Sequence, residues 1–122
     1  MERINSWQAI IGNWEKGVLT QDGSTPTARL NQALTEVEEL STAHLTHERN
    51  PKDAAMEAAD IVIALTGYIH SLGYDLENLL EEKVDIMYRK YPAHENKQLR
   101  DSGLTWKEAM RVQKTVYNNG HG

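Results

Sequence analysis

Four acids set as two pairs, Glu36 with Glu39 and Glu57 with Asp60, are the residues of this chain best suited to chemistry. Residues three apart share one face of a helix, so each pair makes a two-carboxylate claw wherever its segment is helical. The second pair interrupts a stretch, Ala54 to Tyr74, that holds no other Asp, Glu, Lys or Arg. A helix that apolar is expected to be buried, and ionised carboxylates are costly there unless they are paired or bind a metal. Four hard oxygen donors suit Mg²⁺, with Mn²⁺ as a substitute. The set points to metal-assisted phosphate chemistry.

Lys83 supplies the opposite charge. The expected inward positions of its helix are Leu76, Leu79, Leu80, Lys83 and Met87, so the lysine interrupts an apolar stripe. Lys90 shares that side two turns on, whereas Arg89 points elsewhere. Such a lysine snorkels to water, pairs with an acid, or meets a phosphate as a point charge.

Plainer readings exist for each group. Glu36, Glu38 and Glu39 also fit a solvated acidic face, and the helix macrodipole accounts for Glu57 better than for Asp60. His44 and His47 have a metal-compatible spacing but read as a solvated pair at a helix end. Trp7 and Trp14 read first as core or interface anchors. Gly23-Ser24 lacks the spacing of a phosphate loop.

The elements that must position these groups are helices. Ile4, Trp7, Ile11 and Trp14 recur at helical spacing, predicting a first amphipathic helix over about 3–16 that ends at Gly17. Leu19 to Thr25 reads as a loop, with Thr25 as N-cap and Pro26 at the first position of a second helix. That helix is expected to reach about His44, with Leu30, Ala33, Leu34, Val37 and Leu40 as its apolar stripe. Asn50-Pro51 marks a break. The third helix, about 53–72, is apolar nearly all round and is expected to be the central buried one. Gly73 stops it, and Asp75 opens a fourth that ends before Pro92. The pattern then weakens until Thr105 and Glu108, a capping box that starts a short last helix. Asn118 to Gly122 is expected to fray. No strand signal appears, so the expectation is an all-α bundle of four to five helices.

Composition agrees with a folded domain. The 122 residues are 39% hydrophobic and 25% charged, enough for one domain with a core of its own. A net charge of −5 argues against a nucleic-acid surface. With no cysteine there is no thiolate site and no thiol nucleophile. Met1 to Gly12 is unlike a signal peptide, and the charge-free run between Asp60 and Asp75 is too short to span a bilayer. The expectation is a cytoplasmic protein without a membrane partner.

Thr35-Glu36-Val37-Glu38-Glu39-Leu40, followed by Glu57-Ala58-Ala59-Asp60, resembles the Glu-Glu-x-x-Glu … Glu-x-x-Asp signature of MazG-like nucleoside triphosphate pyrophosphohydrolases. The likeness covers about residues 28–92, through Lys83 and the closing Arg89-Lys90-Tyr91-Pro92. It departs at Thr35, where the signature has its first Glu, and around Lys83, where Leu, Glu and Met stand in place of the usual Asn and Arg.

The resemblance implies a single domain. Residues 1–27 would form the N-terminal helix and loop, 28–92 the catalytic core, and 93–122 a C-terminal extension. It further implies hydrolysis of a nucleoside triphosphate between the α and β phosphates. Two or more Mg²⁺ ions would be held by Glu36, Glu39, Glu57 and Asp60, with Glu36 or Glu39 also orienting the water. Lys83 would serve catalysis and phosphate binding, with Lys90, Arg89 and Trp7 as further substrate contacts. The bundle would be completed by a second chain, as a homodimer or homotetramer. Other readings stay open: a phosphoribosyl-ATP pyrophosphohydrolase, or a non-catalytic helical regulator. A di-iron bundle would require a Glu-x-x-His motif that neither claw contains.

Overall fold

The structure, a computed structural model, describes residues 2–46 and 51–121. Among the described residues there are six α-helices and no strand. They are α1 (Glu2–Val18), α2 (Pro26–Thr46), α3 (Pro51–Ser71), α4 (Leu76–Lys90), α5 (Ala93–Asp101) and α6 (Trp106–His121), with a 3₁₀ turn at Asp22–Ser24. No helix among them is long and apolar enough to cross a membrane. The side chain of Ile4, and His47 and Asn50 entirely, lie outside the described residues. The chain divides into two compact units, Met1–Glu77 and Asn78–Gly122, with the boundary inside α4.

In the first unit, α3 packs against both α2 and α1, most extensively against α2. Thr25 caps α2 as expected: its Oγ1 accepts from the Ala28 N–H at 3.2 Å, and Pro26 follows at the first helical position. Gly73 stops α3 at φ 84°. The Gly73 N–H bonds to the His70 carbonyl at 3.0 Å and the Tyr74 N–H to that of Ile69 at 3.3 Å, a Schellman closure. Gln8 of α1 ties this turn to the next helix. Its Oε1 accepts from the Leu76 N–H at 2.7 Å, satisfying an orphan donor of α4, and its Nε2 donates to the Tyr74 carbonyl at 2.9 Å.

The apolar stripes read from the sequence pack only in part. On α1 the withdrawn side chains are Gln8, Ile11 and Glu15, while Trp7, Ile10, Trp14 and Val18 stand in solvent, Trp7 at 59% exposure. On α2 they are Arg29, Ala33, Glu36, Leu40 and Ala43, while Leu30, Leu34 and Val37 are exposed. The expected burial of α3 all round also fails, because Met56, Val62, Ile63, Leu65 and Leu72 are exposed. The only buried apolar side chains among the described residues are alanines, Ala33, Ala64 and Ala109, and no large side chain is fully buried. Small residues let the helices approach closely, and polar pairs such as Gln8 with the α3–α4 turn fix their register. Among the described residues the large apolar side chains are half-buried, as Ile11, Leu40, Ile61 and Ile69 are, or exposed.

In the second unit, α5 and α6 form a helical hairpin that the sequence reading left unassigned at α5. Gly103, at φ 111°, ends α5 with the same closure as Gly73, its N–H on the Arg100 carbonyl at 3.0 Å and that of Leu104 on Leu99 at 3.3 Å. Buried Gln113 joins the two helices. It donates to the Pro92 carbonyl at 2.9 Å and accepts from the Asn96 amide at 2.8 Å. α6 is longer than expected and runs to His121.

The Thr105–Glu108 capping box is present. The Thr105 N–H bonds to Glu108 Oε1 at 2.9 Å, and the Glu108 N–H to Thr105 Oγ1 at 3.2 Å. The backbone bond from Thr105, then its side-chain bond, lower the Glu108 pKa below the ordinary value of 4.5, with a smaller contribution in the same direction from the Arg111 charge. A carboxylate with a depressed folded-state pKa stabilises the fold at pH above its unfolded value, and that contribution disappears as pH falls through the folded value. Carboxyl NMR titration is therefore expected to place Glu108 below ordinary glutamates, with the first turn of α6 loosening only under acid conditions. Titration at or above the ordinary value would contradict the capping role.

Candidate functional site

Four residues, 47–50, separate α2 from α3, and two long helices packed on each other across so short a connection run antiparallel. That topology sets the acids at one level. Glu39 lies seven residues before the end of α2 at Thr46, and Glu57 six after the start of α3 at Pro51. At about 1.5 Å per residue these are about 10 and 9 Å from the connected end of the hairpin. Glu36 and Asp60 lie three residues further along their helices, so the second pair is level as well.

The level is shared, but the exposure is not. Glu36 sits in the withdrawn stripe of α2, one turn from Ala33 and Leu40, and Glu57 in that of α3 with Ala54, Ile61 and Ala64; both are half-buried. The Oε2 of Glu57 is shut off from solvent. Glu39 and Asp60 are exposed. Glu36 Oε1 accepts from Gln32 Nε2 at 2.8 Å, which orients it along α2. Thr35, where the resembling signature has an acid, is exposed and returns its hydroxyl to the Asn31 carbonyl at 3.1 Å.

The donor types and their common level fit a hard divalent cation. The side chains themselves do not converge: among the described residues no three acidic or histidine groups are drawn together as a metal site. A cation held by all four acids would need the exposed pair, Glu39 and Asp60, to turn toward Glu36 and Glu57. His44 is exposed at the end of α2, and His47 is outside the described residues.

The basic candidates belong to the second unit. Lys83 is exposed, as are Leu80, Val84 and Met87 around it, so the expectation of a lysine within a buried stripe is not met. Arg89 pairs with Asp85 at 2.7 Å, one turn away on the exposed side of α4. Lys90 is half-buried, its Nζ lying 5.6 Å from the Tyr91 ring and 5.7 Å from the Tyr117 ring. Trp7, in the first unit, is exposed.

The first unit also carries polar groups that the sequence reading passed over. Glu15 is 5% exposed and Arg29 8%. They form an ion pair at 3.3 Å that joins α1 to α2, and Arg29 Nε donates to the Gly23 carbonyl at 3.0 Å. The Glu15 carboxylate rests on Gly67 of α3, where an added Cβ would fall 2.6 Å from Oε1. Beside this pair lies a cavity of about 560 Å³ between α1, the 3₁₀ segment and the C-terminal half of α3. One signal was available: Gly12 and Gly67 sit inside otherwise helical patterns, and an internal glycine commonly marks a close approach. Compared with known proteins, the chain matches no family model, no curated protein and no solved structure.

Proposed function

We propose that this chain hydrolyses a nucleoside or deoxynucleoside triphosphate in the cytoplasm, releasing the monophosphate and pyrophosphate. The observation that carries the reading is the common level of Glu36, Glu39, Glu57 and Asp60 across the α2–α3 hairpin, with Glu36 and Glu57 on withdrawn faces. These four carboxylates would hold Mg²⁺. Mg²⁺ bound there would offset the phosphate charge and make a bound water more acidic.

In the reaction, water adds to the α phosphorus and the bond from that phosphorus to the bridging oxygen breaks, with the electron pair leaving on pyrophosphate. Glu36 or Glu39 orients the water and accepts its proton, within hydrogen-bond reach as such a base must be. Lys83, Arg89 and Lys90 are proposed as phosphate contacts on the strength of the resemblance alone. Product analysis with Mg²⁺ and a panel of triphosphates tests the reading. Monophosphate with pyrophosphate is expected, and diphosphate with orthophosphate would refute it.

The functional form is proposed to be a homodimer or homotetramer. Trp7, Ile10, Trp14 and Val18 recur along one face of α1, and all are exposed. Leu30, Leu34 and Val37 of α2 are also uncovered, and clustered exposed apolar side chains mark interaction surfaces. Light scattering is expected to give a multiple of the 13.9 kDa chain mass, and a value of 13.9 kDa would exclude the oligomer.

A further inference from the structure

The cavity beside α1 has no part in the phosphate chemistry above. Its volume of about 560 Å³ is within the range of roughly 300–1,000 Å³ typical of small-molecule pockets. Gly12 and Gly67 keep side chains out of two of its walls, and Asn13, Lys16 and His70 bring polar groups to its lining. Glu15 forms the buried part of the wall, held by Arg29 at 3.3 Å. An ion-paired carboxylate accepts hydrogen bonds and donates none.

The cavity also lies in line with one of the acids. On α3, Asp60, Gly67 and Ser71 follow at i, i+7 and i+11, a spacing that keeps all three on one face. Gly67 and Ser71 line the cavity, so the stripe bearing Asp60 reaches its wall two turns on, about 10 Å along the axis. An extended nucleotide sets its phosphates and its base apart on this scale.

We propose that this cavity receives the base of the nucleotide, and that Glu15 selects a base bearing an exocyclic amine, cytosine or adenine. The identity of the ligand rests on the pyrophosphohydrolase reading. An amine donates to the Glu15 carboxylate. The carbonyl that uracil carries at the same place would set its oxygen against the Glu15 carboxylate, an acceptor facing an acceptor with no hydrogen bond between them. Sites built around such a bond discriminate strongly against analogues that lack it.

The test uses cytidine, adenosine and uridine, which carry no phosphate, titrated without metal into the full chain and followed by amide NMR. Cytidine and adenosine are expected to bind at least tenfold more tightly than uridine and to shift the Gly12 and Gly67 resonances. Asn13→Trp, which fills the cavity from an exposed position on α1, is expected to abolish this binding, whereas Glu57→Gln preserves it. Equal binding of uridine, or binding untouched by Asn13→Trp, would overturn the assignment. A protein that hydrolyses triphosphates yet binds no nucleoside would overturn the cavity's role while leaving the reaction intact. Amine-selective nucleoside binding lost in Asn13→Trp, without turnover of any triphosphate, would support the pocket and remove the hydrolase reading.

Discussion

Glu57→Gln is expected to lower Mg²⁺-dependent pyrophosphate release by at least about 100-fold, because loss of even an outer-shell partner costs a metal site about 10–100-fold. The substitution keeps the volume and shape of a half-buried side chain and removes one of four negative charges at one level of the α2–α3 hairpin. Without metal, the isosteric change opens no cavity, so the metal-free unfolding free energies of the two proteins serve as the reference for the effect of Mg²⁺.

With metal the two proteins should diverge. A ligand bound only by the native state stabilises it by about 2.7 kcal/mol at one hundred times its dissociation constant. Wild type should gain on that scale as Mg²⁺ is raised, and Glu57→Gln should gain much less. Thermal unfolding with and without Mg²⁺, run beside the product assay, checks both effects. Unchanged turnover in the variant would end the four-acid reading, and an absence of any Mg²⁺ effect on wild type would reduce the acids to a solvated face.

The parts of this fold that depend on local chemistry were legible in the sequence. Thr25-Pro26, Gly73 and the Thr105–Glu108 box act through hydrogen bonds within a few residues, and each does what its residue type predicts. The common level of the claws follows from the helix bounds and the short connection between them. Burial was not legible. Periodicity identifies which side chains share a face, but Trp7 and Trp14 lie exposed while Gln8 and Glu15 are withdrawn. The polar pair wins those positions because each has a partner distant in sequence, Leu76 for Gln8 and Arg29 for Glu15. The burial expected around Lys83 fails by the same route, its neighbours Leu80 and Met87 being apolar yet exposed. α5 was missed because its nine residues, Ala93–Asp101, are almost all polar, and only Gly103 with Leu104 marks its end.

Two glycine-to-alanine changes should move stability in opposite directions. Both Gly12 and Gly67 lie within helices, where alanine is favoured over glycine by about 1 kcal/mol. A Cβ on Gly12 would meet His70 Nε2 at 2.8 Å, but His70 is exposed and its ring can turn aside at the expense of its 3.3 Å contact with Gln8 Nε2. Gly12→Ala is therefore expected to be neutral or to stabilise by up to about 1 kcal/mol. A Cβ on Gly67 would fall on the Glu15 carboxylate. That group is also the end of a flexible side chain, and on the surface it would move aside at little cost. Here it is 5% exposed and paired with an Arg29 that is 8% exposed. Displacing it opens a buried ion pair, a change that costs about 3–5 kcal/mol when a partner is lost outright. Set against the gain in helix propensity, Gly67→Ala should destabilise by about 2–4 kcal/mol. Denaturant midpoints at unchanged m-value read both effects. In a Glu15→Ala background the obstacle is gone, so adding Gly67→Ala should become neutral or stabilising, a non-additivity that a general packing defect would not produce. If Gly67→Ala is as stable as wild type, the Glu15 carboxylate does not rest on Gly67, and the cavity loses the group proposed to read the base.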